Sequence, residues 1–401
     1  MRFLALLLAG PAAILSAQPL TPAWVEIGPE GAAIARVIVT SADDCPSLVT
    51  DGAPLRMSLR QPVPQGLRPV CEATIPATVK SASLNGQALM LPAADPSHIV
   101  VIGDTGCRIK GERVQNCNDP AQWPFETISG RASAEKPQLV IHVGDYLYRE
   151  QKCPTPEFCG GSPSGDIWEA WNADFFQPAA KLLAAAPWIF VRGNHESCGR
   201  SWRGWFYYLD PRPFTGTCED YSPPYVARLG RFEVAVLDTA SASDTPDAKQ
   251  TGAYAAQIAS LRVRHAWLVD HHPFWGMKTD MGATQPTPLP TPLGAAWDQA
   301  APKGIDLILS GHTHLFEILS FEHGRPPQVV AGDGGTDMAL AIPVSVKGMT
   351  IRGVTIAAGE TRHEFGYTVL NKVHKGWKLE LKNPSSRTLV TCRIEGERVI
   401  F

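Results

Sequence analysis

No apolar run in this 401-residue chain is long enough to cross a bilayer; the stretch that opens it, Phe3-Leu4-Ala5-Leu6-Leu7-Leu8-Ala9 and on to Leu15, falls short. No Cys-x-x-Cys pair occurs among the nine cysteines, which leaves a zinc knuckle unsupported. Basic charge is not in excess. Lys+Arg 36 against Asp+Glu 39 gives a net charge of −3, which argues against a nucleic-acid scaffold bound through a broad basic face. Internal repeats are absent, and 44% hydrophobic with 19% charged residues excludes wholesale disorder. Glycine and proline are plentiful, at 35 each, so loops should be long.

The opening apolar stretch has its own reading. Arg2 precedes it, and the small residues Ser16-Ala17 follow, as in a secretory signal peptide spanning 1–17. No cysteine sits at the cleavage position, so lipid attachment is not expected. The cysteines agree with export to a periplasm or the outside of the cell, because disulfides persist in oxidising compartments. Their spacing suggests local pairs, Cys45 with Cys71, Cys107 with Cys117, Cys153 with Cys159 and Cys198 with Cys218, leaving Cys392 free and buried.

Two textures follow. From 18 to 95, short β-type runs such as Trp24-Val25-Glu26-Ile27 are broken by Gly, Pro and Asp, which reads as a small N-terminal all-β, sandwich-like domain. From 96 to 401 the pattern is α/β. Ile99-Val100-Val101-Ile102 runs into Gly103-Asp104, and Leu139-Val140-Ile141-His142-Val143 into Gly144-Asp145. Trp188-Ile189-Phe190-Val191 leads to Gly193-Asn194-His195, Ala266-Trp267-Leu268-Val269 to Asp270-His271-His272, and Leu307-Ile308-Leu309 to Gly311-His312-Thr313-His314. Helices are expected within 167–186 and 254–263, irregular loops over 107–131 and 281–293, and β-structure closing a sheet edge over 365–401. Buried strands that end in polar loops are how α/β proteins assemble sites.

Five of the 11 histidines fall in these strand-end clusters, beside carboxylates, an amide and a tyrosine. That mixed donor set suits iron, zinc or manganese better than calcium. Taken in order, Gly103-Asp104-Thr105-Gly106, Gly144-Asp145-Tyr146-Leu147-Tyr148, Gly193-Asn194-His195-Glu196, Asp270-His271 and Gly311-His312-Thr313-His314 resemble the five blocks of the calcineurin-like metallophosphoesterases. Tyr148 makes the likeness one to the purple acid phosphatase branch. The resemblance implies a four-layer metallophosphoesterase sandwich holding two metal ions. Asp104, Asp145, Tyr148 and His314 would bind ferric iron. Asp145 would bridge to a second ion, Fe2+, Zn2+ or Mn2+, completed by Asn194, His271 and His312. The branch pattern His-x-Pro-aromatic puts His271, not His272, in the ligand slot.

The implied activity is hydrolysis of a small phosphomonoester by a hydroxide that the metals hold. His195 would be the proton donor, His272 a weaker candidate, and Glu196 the carboxylate that orients His195. Plant and mammalian members carry another phosphate-facing histidine after the fourth block. Gly276-Met277-Lys278-Thr279-Asp280 has none here, which makes Lys278 or His272 a candidate substitute and Arg200 or Arg203 a candidate anion clamp. The rival activities are a phosphodiesterase acting on nucleotides or lipid headgroups with the same metals, and a non-catalytic secreted binding protein. His142 reads as a core histidine, and the aromatic run Trp202 to Tyr208 as either a substrate wall or packing.

Overall fold

The computed structural model describes residues 18–43 and 45–401; the expected leader, 1–17, lies outside them. Its architecture follows from strands that are apolar on both faces. In Ile99-Val100-Val101-Ile102 every side chain is buried, and alternate residues face different layers. Ile99 and Val101 join a core with Val234, Val269 and Leu309, while Val100 and Ile102 pack under Ile128 and Leu182. The same alternation divides Leu139–His142 and Trp188–Phe190. Two sheets therefore meet face to face.

An 11-stranded sheet carries His98–Ile102, Leu139–His142 and Trp188–Phe190 as parallel neighbours at its centre. An eight-stranded sheet carries Phe232–Val236, Ala266–Val269, Ile305–Ser310 and Gln328–Ala331, also parallel. Helices Phe125–Ala134 and Gln177–Leu183 cover the outer face of the first. Ala248–Ser260 and Leu293–Ala300 cover that of the second, through Tyr254, Ile258, Leu293 and Trp297. The result is the four-layer α/β sandwich, and its parallel strands deliver their carboxyl ends to one rim.

The N-terminal region is all β. A four-stranded sheet, with Ser47–Thr50 and Ala82–Leu84 at its centre, packs its Leu48 and Leu84 on Val25, Ala35 and Val37. The strands beneath it continue the large sheet: Trp24–Ile27 pairs in parallel with Trp188–Phe190 and antiparallel with Ala33–Ile38. A buried ionic cluster fastens this seam. Arg36 Nη1 lies 2.6 Å from Glu26 Oε2, both side chains fully buried, and the same guanidinium donates to the carbonyls of Tyr208 at 2.9 Å and Asp210 at 2.8 Å.

Local details depart from the sequence-based expectations in several places: the helix expected over 254–263 runs Ala248–Ser260, and the loop expected over 281–293 contains the short strand Thr287–Pro288. The segment 107–131, expected as irregular loop, contains a two-stranded hairpin (Ile109–Lys110 with Arg113–Val114) and the start of the helix Phe125–Ala134. Phe125, Ile128 and Ala132 recur at helical spacing and are buried, a signal outweighed by the Asn, Asp and Gly around it. The expected helix at 167–186 forms as Trp168–Trp171, a wider π-type turn over Asn172–Phe176, then Gln177–Leu183. The four expected disulfides are present, Cys392 is free and buried, and the strands from Tyr367 to Ile400 close one edge of the large sheet.

Substituting Arg36→Met strands the Glu26 carboxylate and should destabilise the protein by about 3–5 kcal/mol, whereas a Glu26→Leu, Arg36→Met double variant should recover most of that loss. Equilibrium denaturation of the two variants checks this; equal stability of both would refute it.

Candidate metal centre

The loops after five of the parallel strands bend sharply, and three residues there adopt a left-handed backbone that non-glycine residues rarely hold: Asp104 (φ 54°), Asp145 (φ 61°) and His312 (φ 72°). Glycines make the space. A Cβ on Gly193 would lie 2.1 Å from Asp145 Oδ1, and one on Gly144, at φ 102°, 2.4 Å from His271 Nδ1.

Tyr148 stands at the middle of one donor group. Its phenol oxygen is 3.0 Å from Asp104 Oδ1, 2.7 Å from Asp145 Oδ2 and 3.0 Å from His314 Nε2. His314 Nδ1 faces the Asp337 carbonyl at 2.7 Å, which fixes its proton there and leaves Nε2 with a lone pair. One phenolic proton thus serves three acceptors.

The second group repeats the arrangement. His271 Nδ1 donates to the Val143 carbonyl at 2.8 Å, so Nε2 presents its lone pair 3.0 Å from Asn194 Oδ1 and 3.3 Å from Asp145 Oδ2. His312 Nε2 is 2.8 Å from Asp244 Oδ1, which turns the lone pair of Nδ1 toward Asn194 Oδ1 at 3.1 Å. Turned over, the Asn194 amide would direct its nitrogen to these same imidazoles and its oxygen to Arg200 Nη1 at 2.9 Å. A cation is what favours the oxygen-inward orientation. Asp145 Oδ2 is common to both groups.

The charges on these side chains tell the same story. Asp104 is held well above the ordinary carboxylate range by burial and by Asp145. Tyr148 is raised by burial and by both aspartates. Burial pushes Asp145 the same way, and that carboxyl falls well below its usual range only through positive charge on its neighbours, His271 and His195 when protonated. Protons alone cannot satisfy so many buried acceptors facing one another, and a pair of cations does. The residues present therefore fit two metal ions. Two ligand-type clusters, Asp104 with Asp145 and His271, and His271 with His272 and His312, each bring their donor atoms within 4.8 Å of one another.

Around the donors lies a cleft of about 460 Å³, lined among others by His195, Arg200, Lys278, His312 and His314. His195 packs tilted against Tyr148 with ring centroids 3.6 Å apart, and its backbone N–H donates to Asp145 Oδ1 at 2.8 Å. Glu150, not Glu196, orients it: Glu150 Oε1 sits 2.6 Å from His195 Nδ1. Burial works against the Glu150 carboxylate, but His195 and Arg200 hold it down at about 2. Glu196 instead accepts from the backbone of Tyr146, Leu147 and Gly193, at 2.9, 3.0 and 3.2 Å, stapling the second and third loops together. Asp174, projecting from the π-type turn, accepts from the backbone of Tyr148 at 2.8 Å and Cys107 at 3.1 Å, and so fixes the phenol from behind.

Other expected residues fall elsewhere. Arg203 does not line the cleft; its guanidinium is bound to Asp166, 3.3 Å away, because it leaves the helix Trp202–Tyr208 on the side facing that carboxylate. His272 is buried, packs tilted against His312 with centroids 3.9 Å apart, and does not line the cleft either. Lys278 does reach the cleft, paired with Asp280 at 2.9 Å. His142 is a core histidine, stacked on Tyr146 and bonded to Thr105 Oγ1 at 3.1 Å. The aromatics Trp205 to Tyr208 are buried in the core rather than forming a substrate wall. Glu150, Asp244 and Asp174 were not found from sequence. Glu150 carries one weak signal, its position two residues after Tyr148, whereas Asp244 and Asp174 reach the site only through the fold.

Comparison with known proteins brings these observations together. Residues 97–316 match the family model of the calcineurin-like phosphoesterases. No curated protein matches the chain. A purple acid phosphatase, PPD1, isolated from yellow lupin (Lupinus luteus) seeds, is similar in structure at a TM-score of 0.58 and 14% identity, over 92% of this chain and 73% of that one. PhoD is similar at a TM-score of 0.56 and 11% identity, over 97% and 94%. At such identities the likeness is one of fold. The family implies a dinuclear metal site, and the shared Asp145 oxygen gives such a site its place. With more than half of its length matched and its donors gathered at the carboxyl ends of the strands, the chain belongs to the calcineurin-like phosphoesterases, a family of hydrolases.

Proposed function

We propose that the protein is an exported phosphatase of the purple acid phosphatase type, acting on small phosphomonoesters. The observation that carries this reading is Tyr148, whose oxygen lies within 3.0 Å of atoms from Asp104, Asp145 and His314. A phenolate in that position suits a trivalent iron, where an aspartate or asparagine would leave a plain divalent pair. Asp104, Asp145, Tyr148 and His314 would hold the ferric ion. Asp145, Asn194, His271 and His312 would hold the second ion, Fe2+, Zn2+ or Mn2+. When bound, such a pair supplies positive charge to the phosphate and an acidified water.

The chain's own groups do the rest. His195, in the cleft and oriented by Glu150, is the proton donor to the leaving oxygen. Lys278 and Arg200 add positive charge at the rim. Export by a leader over 1–17 to the periplasm or outside the cell is supported by the four disulfides. Among the described residues no helix is long and apolar enough to cross a membrane.

Purified protein should contain two metal ions per chain with iron among them, and a visible charge-transfer band that Tyr148→Phe removes. Elemental analysis and an absorption spectrum read both; a colourless, iron-free active enzyme would overturn the branch assignment. Nitrophenyl phosphate should be turned over faster than bis-nitrophenyl phosphate, with the reverse order favouring a phosphodiesterase. His195→Ala should lower turnover of an alkyl phosphate by roughly 10²–10⁴-fold with metal content unchanged, and that of nitrophenyl phosphate by less, because nitrophenolate leaves without a proton. Equal losses on both substrates would remove His195 from the role.

A further inference from the structure

The cations around the cleft are not equivalent. Arg113 is paired with Asp337 at 2.6 Å, Lys278 with Asp280 at 2.9 Å, Lys110 with Glu150 at 3.6 Å, and Arg200 also with Glu150. Arg108 lines the same cleft beside Asp145, His195 and His314, yet among the described residues its guanidinium has no hydrogen-bond or ion-pair partner. Its Nε is shut away from solvent as well as unpaired. A half-buried guanidinium without an anion is costly, and one held beside a metal site has a natural partner in the substrate.

The backbone holds Arg108 in place from both sides. The Cys107–Cys117 disulfide closes the hairpin that carries it. Gln115 accepts from the Arg108 N–H at 3.0 Å, and the Gln115 N–H donates to the Arg108 carbonyl at 2.8 Å. The next residue, Ile109, donates to the Tyr148 carbonyl at 3.0 Å, and Asp174 grips Cys107 and Tyr148 together. Arg108 is thereby anchored to the same backbone that positions the phenol.

We propose that Arg108 clamps a non-bridging oxygen of the substrate phosphoryl group and so selects phosphomonoester dianions over diesters. A monoester dianion carries one more charged oxygen than a diester, and a cation apart from the metals rewards that difference. The proposal rests on the phosphatase reading above.

The test uses the metal-loaded full-length enzyme with Arg108→Gln, Arg108→Lys and, as a control at a paired cation outside the cleft, Arg203→Ala. Inhibition by inorganic phosphate and kcat and KM for nitrophenyl phosphate and bis-nitrophenyl phosphate are measured, with metal content by elemental analysis. Arg108→Gln should raise the phosphate inhibition constant and the monoester KM by roughly 10- to 100-fold, the scale of one charge-assisted hydrogen bond. The diester should change by less than about threefold, Arg108→Lys should fall between, and Arg203→Ala should resemble the parent. Unchanged phosphate inhibition with both metals retained, or equal losses on both esters, overturns the assignment of Arg108 alone. Should the glutamine variant not fold, the lysine variant, which keeps the charge but loses the fork, decides by the same two readouts. A parent enzyme that turns over neither ester overturns the phosphatase reading and this one together.

Discussion

Asp145 Oδ2 lies 2.7 Å from the Tyr148 oxygen and 3.3 Å from His271 Nε2, in a site where Asp104, Asp145, Tyr148 and His271 are all buried. Two carboxylates brought this close, away from water, repel one another, and the phenol between them gives up its proton only if something positive takes its place. Much of the surrounding structure serves to keep them there. Three imidazoles have their outward-facing nitrogens committed to a carbonyl or carboxylate, Val143, Asp337 and Asp244, so that each can present only a lone pair inward.

The fold meets this demand by arranging parallel strands in two facing sheets, whose carboxyl ends share one rim. A left-handed backbone at Asp104, Asp145 and His312 turns the chain abruptly as each strand ends. The cost of such conformations, of order 1–3 kcal/mol each, is met by the hydrophobic core between and outside the sheets. Glu196 and Asp174 add to this by gathering backbone N–H groups from separate loops, so that the donors are held by the protein before any ion arrives.

How much of this could be read from sequence depended on range. The strands preceding Asp104, Asp145, Asn194, His271 and His312 were legible because a run buried on both faces has no polar alternation to disguise it. Which residues after those runs would serve as donors came from the likeness of the five blocks to the calcineurin-like metallophosphoesterases. Glu150 as partner of His195 was not legible; Glu196 is nearer in sequence, but the short turn at Asn194–Glu196 directs it back to the loop backbone. Asp244 and Arg108 lie in loops whose partners are set by tertiary folding, so no local spacing marks them. The helix Phe125–Ala134 was obscured by the turn-forming residues that precede it. Nor does any local pattern tell that Trp24–Ile27 continues a sheet built mainly from later residues.

That last pairing has a consequence for how the chain can be cut. Trp24–Ile27 lies against Trp188–Phe190, the strand that leads to Asn194, and Arg36 reaches across to the carbonyls of Tyr208 and Asp210. Beginning the protein at residue 96 would not free a catalytic module. It would uncover the edge of the short strand Trp188–Phe190 next to the third ligand-type loop, and an unpaired edge is a surface along which chains can pair. The amino-terminal β-structure thus acts as a guard against self-association for the sheet it borders.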